Sequence, residues 1–171
     1  MRIDLSLYGS AVHSGMQLCE DIHRHGYEAY LVGGCVRDIV MENIGVIAKA
    51  DIHDVDIATN MPIEQLQKFY TTADNNGEAH GTILVKFGDI YFEVTQCRTA
   101  GAYSDGRHPD SVNFTKSFKE DTARRDFTIN AMGIDYDGNV IDYNGGIEDI
   151  KNGVIRTVGD PVERFTEDAL R

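Results

Sequence analysis

Residues 30–59 decide how this chain is read: Tyr30-Leu31-Val32-Gly33-Gly34-Cys35-Val36-Arg37-Asp38, a polar interval, then Asp54-Val55-Asp56-Ile57-Ala58-Thr59. Tyr30 to Val32 reads as a short buried strand. Gly33 and Gly34 let the backbone turn sharply and approach a ligand with no Cβ in the way. Cys35 to Met41 has helical character, which puts the glycines at a helix N-terminus, where free N–H groups and the macrodipole favour a phosphate. Asp54 and Asp56 are one residue apart, so on a strand both carboxylates leave the same face. Two such carboxylates repel unless a cation neutralises them, and Mg²⁺ carrying a nucleotide's phosphates does so directly. A strand followed by Gly-Gly is often only a turn, and Asp-x-Asp is often only an exposed strand. Together they describe a phosphate cradle beside a metal-binding pair, which suits nucleotidyl transfer.

Outward from this stretch, Ser10 to His25 fits an amphipathic helix, with Val12, Met16, Cys19 and Ile22 at helical spacing and Gly26 as its stop. His23 and His25 are expected to face solvent. Pro62 to Phe69 reads as a helix with proline early in the first turn. Thr82 to Phe87 and Ile90 to Thr95 flank Gly88-Asp89 as a hairpin. Glu93 sits among apolar neighbours there, where a carboxylate is costly to bury unpaired, so an edge-strand position is its plain reading. Arg98 to Ser111 is a polar loop with two glycines and a proline. Ser117 to Glu120 is a capping box that starts a helix leading into Arg124-Arg125-Asp126-Phe127-Thr128-Ile129-Asn130-Ala131-Met132. Arg124 and Arg125 suit phosphates, while Asp126 and Asn130, at helical spacing, suit a ribose hydroxyl. Met132 to Tyr136 and Val140 to Asp142 read as strands around Asp137-Gly138-Asn139. Thr166 reads as an N-cap, placing Asp168 and Arg171 on one helix face, where the plain reading is an ordinary ion pair.

Composition narrows the function classes. The 171 residues amount to one domain, and no apolar run is long enough for a membrane span. The N-terminus has no secretory apolar region. Cys19, Cys35 and Cys97 are widely spaced, which suits reduced, buried thiols and a cytoplasmic location. The six histidines are scattered, which argues against a zinc site. The formal net charge of −12 is opposite to that of most nucleic-acid grips. An RNA partner would therefore meet a small local basic patch here, or contacts on another domain.

The Leu-Val-Gly-Gly-x-Val-Arg-Asp wording with its Asp-x-Asp pair resembles the first motif of the class II tRNA nucleotidyltransferases (CCA-adding enzymes) and bacterial poly(A) polymerases. In that family the interval before the aspartates is several residues shorter, so Glu42 to His53 resembles a small insertion. Arg124 to Ala131 matches the family's second motif without a gap, and Asp142 to Ile150 is similar to its third, a hinge between head and neck. Asp105 to Pro109 resembles its flexible loop, which is implied to rearrange the pocket between C and A addition and is shortened in CC-only enzymes. Glu167 to Arg171 matches its Glu-Asp-x-x-Arg base-reading template.

The resemblance implies an α+β, polymerase β-like head domain, with a mixed, mostly antiparallel sheet backed by helices. It implies a head at residues 1–160, with 161–171 opening a truncated neck helix. It also implies Asp54 and Asp56 as Mg²⁺ ligands, with Glu93 as third carboxylate of the catalytic set. Gly33, Gly34 and Arg37 would cradle the triphosphate, Arg124, Arg125, Asp126 and Asn130 would hold phosphate and ribose, and Asp168 and Arg171 would read the base. ATP and CTP are then the substrates and a tRNA 3′ end the acceptor, met mostly through domains outside this chain. A poly(A) polymerase, a stand-alone transferase acting on a protein or small molecule, and a non-catalytic nucleotide-binding module are the alternatives.

Overall fold

The computed structural model describes residues 1–73, 80–99, 113–168 and 171. Helix α1 (Ser10–Arg24) precedes strand β1 (Ala29–Val32), and helix α2 (Gly34–Asn43) follows at once. Then come β2 (Asp56–Thr59), α3 (Ile63–Phe69), β3 (Thr71–Ala73), and the hairpin β4 (Thr82–Phe87) and β5 (Ile90–Gln96). Short β6 (Arg98–Thr99) pairs with β7 (Asn113–Phe114), and α4 (Phe118–Ala123) leads through a 3-10 turn to β8 (Met132–Ile134) and β9 (Val140–Asp142). Helices α5 (Gly146–Asn152) and α6 (Pro161–Glu167) complete the chain.

Among the described residues, seven strands form one sheet in the order β3-β4-β5-β2-β1-β8-β9, in which only the β2–β5 pair is parallel. The α+β expectation with a mixed, mostly antiparallel sheet is therefore met. Alternation along β1 and β2 sends Leu31 and Ile57 into the main core with Leu18, Ile22, Val36 and Ile39 of α1 and α2. Each such fully buried aliphatic side chain contributes about 1.5–3 kcal/mol. Val32 and Ala58 face the other way, onto Cys97 and Phe118, and the Phe118 ring stacks on Tyr30 at 4.1 Å. Cys19, Cys35 and Cys97 are all buried and free, as the cysteine spacing suggests. Burial pushes the Cys35 and Cys97 thiols up to about 12. His23 and His25 are exposed.

Several boundaries differ from the sequence reading. The Asp-x-Asp strand begins only at Asp56, because β1 reaches Val32, opposite Asp56, and then leaves the sheet at Gly33–Gly34. Asp54 thereby loses its ladder neighbour on that side. Pro62 is the N-cap of α3 rather than part of its first turn. Strand β8 stops at Ile134 because the Asp135 side chain accepts the N–H groups of Asp137 and Asn139 and folds the hairpin turn itself. Gly146 does sit at a helix start, and a Cβ there would collide with the Thr128 carbonyl oxygen, so this position is close-packed.

Helix α6 departs furthest. Its N-cap is Asp160, whose Oδ1 accepts from Val162 and Glu163 N–H at 2.8 and 3.1 Å, with Pro161 at the first helical position. Thr166 lies in its last turn and donates to the Val162 carbonyl at 2.6 Å. The helix ends at Glu167, so Asp168 and Arg171 do not share a helix face. The Asp105–Pro109 segment lies outside the described residues.

Candidate active site

Gly33 is the pivot between strand and helix. Its φ of +79° and ψ of −149° define a conformation that side chains avoid, and a Cβ there would lie 3.3 Å from Asp56 Oδ2. Gly33→Ala is expected to lower stability by about 1–3 kcal/mol, read from urea unfolding midpoints. Equal midpoints for parent and variant would contradict that strain. Both glycines open α2, as expected for a helix N-terminus. One turn on, Arg37 donates Nη1–H to Asn130 Oδ1 at 3.0 Å and Nε–H to Asp38 Oδ1 at 2.8 Å. The first stretch is thereby tied to the second.

A cavity of about 360 Å³ is lined by Gly33, Gly34 and Arg37 from the first stretch, by Arg124, Arg125, Asp126 and Asn130 from the second, and by Asp168 and Arg171 from the chain's end. Four arginines facing two aspartates make this the local basic patch that an acidic chain needs for a polyphosphate. Asp126 and Asn130 reach it without sharing a helix, since α4 ends at Ala123 and Asn130 belongs to the 3-10 turn Thr128–Asn130. The helical spacing expected for this pair is thus corrected, although both side chains arrive at one place.

The carboxylates line a different recess. Asp54, Asp56 and Glu93 border an adjoining cavity of about 400 Å³ together with His53 and Tyr91. The parallel register places Asp56 directly opposite Glu93. Glu93 is exposed, not buried among apolar groups, so it bears no large desolvation cost there. Burial, then the Glu93 and Asp54 charges, hold the Asp56 carboxyl above its usual range, while Arg125 opposes them. Carboxylates crowded against one another are the donor chemistry of a hard divalent cation. Among the described residues no group of three or more His, Cys, Asp or Glu side chains is arranged as a metal site. Mg²⁺ commonly takes only one or two carboxylates and completes its shell with phosphates and water, so the Asp54–Asp56 pair fits it.

Sequence reasoning passed over the residue that aims the arginines. Asp121 is fully buried. Its Oδ1 accepts Arg124 Nε–H and Nη2–H at 3.1 and 2.8 Å, and its Oδ2 accepts Arg125 Nε–H and Nη2–H at 3.2 and 3.1 Å. The Arg98 N–H adds a further bond at 3.1 Å. Desolvation alone would raise this carboxyl, but the two guanidinium groups and the backbone donor outweigh it and hold it low. The signal was present: an acid three and four residues before two arginines is a helical pairing pattern.

The Poly A polymerase head domain profile matches residues 29–156. The chain belongs to the poly(A) polymerase head-domain family. Curated relatives include the CCA-adding enzyme of Enterococcus faecalis, 48% identical over 151 residues, spanning 88% of this chain and 36% of that protein. The CCA-adding enzyme of Bacillus licheniformis is 46% identical over 156 residues, 91% of this chain and 38% of its own length. Among solved structures, the Bacillus stearothermophilus CCA-adding enzyme in complex with CTP superposes with a TM-score of 0.81 at 38% identity, covering 95% of this chain and 37% of that one. The chain thus spans little more than a third of the length of these relatives. Among the described residues no helix is long and apolar enough to cross a membrane.

Proposed function

We propose that this chain is the catalytic head of a tRNA nucleotidyltransferase that transfers CMP and AMP from CTP and ATP to a tRNA 3′ end. The observation that carries the reading is the one cavity shared by Gly33, Gly34 and Arg37 of the first motif, Arg124, Arg125, Asp126 and Asn130 of the second, and Asp168 and Arg171 of the base-reading template. The names of the relatives, CCA-adding enzymes, favour CCA addition over poly(A) synthesis. The head occupies residues 1–160 and α6 opens the neck; the protein works in the cytoplasm, and the tRNA body is held mostly outside this chain.

The triphosphate lies at the α2 N-terminus, where free N–H groups and Arg37, Arg124 and Arg125 take up its charge. Asp54 and Asp56 would hold Mg²⁺. When bound, the metal offsets the charge that builds on the leaving pyrophosphate and orients the reacting groups. Glu93, opposite Asp56, completes the metal site or accepts the proton of the attacking ribose hydroxyl. Asp126 and Asn130 hold the sugar. Asp168 accepts and Arg171 donates, which matches the amino donor beside a ring-nitrogen acceptor on both C and A. G and U present the opposite pattern and leave both residues unpaired, at about 1–3 kcal/mol for each group.

Incubation with labelled ATP and CTP, Mg²⁺ and a tRNA lacking its 3′ end tests this reading. Extension of the RNA supports it; labelling of protein in place of RNA, or binding without turnover, overturns it. The sugar reading has its own check. Asp126→Ala is expected to narrow the preference for ATP over dATP by roughly 1.5–3 kcal/mol, one hydrogen bond to a charged group, in calorimetric titrations. A parent that binds both equally would remove the basis for that role.

A further inference from the structure

Arg164 inverts the pattern of its helix. It is only 8% exposed, while its neighbours Val162 and Phe165 are 72% and 47% exposed. A charged side chain turned inward beside apolar ones turned outward is retained only if it is held by specific partners. Its Nη1 donates to the Arg124 carbonyl at 3.3 Å, and its Nη2 pairs with Glu167 Oε1 at 3.1 Å. The other Glu167 oxygen accepts Arg171 Nη1–H at 2.9 Å. The Arg164 carbonyl also accepts that Nη1–H at 2.5 Å, and the Asp168 N–H at 3.3 Å. Its Nε is buried and has no partner among the described residues, a cost that helix packing alone does not explain.

From these contacts we infer that Arg164 is a specificity-determining positioning residue, which fixes Asp168 and Arg171 relative to the ribose- and phosphate-binding residues. Its guanidinium is fastened to the backbone of Arg124, whose side chain lines the nucleotide cavity. Through its Glu167 partner the same guanidinium fastens Arg171, while the backbone carbonyl of residue 164 takes the Asp168 N–H. Discrimination between bases requires donors and acceptors that cannot turn to suit the wrong partner. A loosened Asp168–Arg171 pair swings to satisfy G or U as well as C or A. This inference rests on the base-reading role proposed above.

Dissociation constants for ATP, CTP, GTP, UTP and inorganic tripolyphosphate, measured on the parent chain and on Arg164→Met, Arg164→Lys and Glu167→Gln, test it. The ratio of GTP to ATP dissociation constants is expected to fall by about tenfold in Arg164→Met and Glu167→Gln, the equivalent of one lost oriented hydrogen bond. Tripolyphosphate binding should stay within about twofold of the parent. Arg164→Lys should recover part of the selectivity, because an ammonium can reach one of the two acceptors but not both. The Arg164→Met, Glu167→Gln double variant should lose no more than either single one, since both act on one linkage. Uniform weakening of all five ligands would show a structural role only. Unchanged selectivity in the folded variants, or additive losses in the double one, would also overturn the proposal. If Arg164→Met does not fold, Glu167→Gln, altered at a partly exposed side chain, decides alone. A parent indifferent to the base overturns the base-reading role itself, and this inference with it.

Discussion

The Asp54→Asn, Asp56→Asn variant is expected to transfer nucleotide to RNA roughly 10³-fold more slowly or worse, because a bound divalent cation supplies several kcal/mol of charge stabilisation. The changes preserve shape and remove only charge. They relieve the crowding among Asp54, Asp56 and Glu93 that holds the Asp56 carboxyl up, so the fold should become slightly more stable at neutral pH while the site fails. That opposition distinguishes a metal pair from a structural one. Calorimetry with Mg·ATP and a urea unfolding curve on the same samples check it. If the double variant binds Mg·ATP like the parent, the metal site is misassigned.

The second large effect falls on a residue that contacts no proposed substrate atom. Asp121→Asn breaks a buried network by removing the charge shared by Arg124 and Arg125, whose side chains are 14% and 16% exposed. Breaking a buried pair on one side costs about 3–5 kcal/mol, since the stranded partner stays desolvated. Both guanidinium groups lose their side-on support together, so nucleotide affinity should fall further than for loss of either arginine alone. Stability also gains an acid limit. The folded Asp121 carboxyl lies below its unfolded value, so its contribution is complete above the ordinary aspartate range and disappears as pH falls below it. In Asp121→Asn that acid limb should flatten. A folded variant with unchanged nucleotide affinity and an unchanged acid limb would show that the fork does not aim the arginines.

Two neighbouring residues show how far pattern reading reaches. The Gly33-Gly34 turn was legible because both its flanks carry periodic signals, apolar β1 before it and helical α2 after it. Its conformation then follows from local sterics, which a sequence states directly. Asp121 carried an equally local signal but was read only as part of a capped helix, since nothing in a sequence says which solvent-facing pattern is buried.

Local chemistry alone determined most of the elements: α1 and its glycine stop, the β4–β5 hairpin, the Ser117 cap, and the glycines that open α2 and α5. It also marked which side chains carry suitable chemistry. Those inferences rest on contacts within a few residues, where spacing fixes geometry. What only the tertiary structure decided is adjacency. The parallel β2–β5 register that sets Asp56 against Glu93 depends on a strand order no local signal encodes. The separation of carboxylates and arginines into two adjoining cavities arises the same way. Helix α6 was misread for the same reason. Thr166 looked like a cap, but Asp160-Pro161 starts the helix. Arg171 reaches back to the Arg164 carbonyl, which also takes the last helical bond from the Asp168 N–H. A buried arginine under exposed Val162 and Phe165 contradicts every periodic expectation, because its partners come from residues 124 and 167. Pairings across such distances depend on where the folded chain brings its segments together, and only the completed packing supplies that.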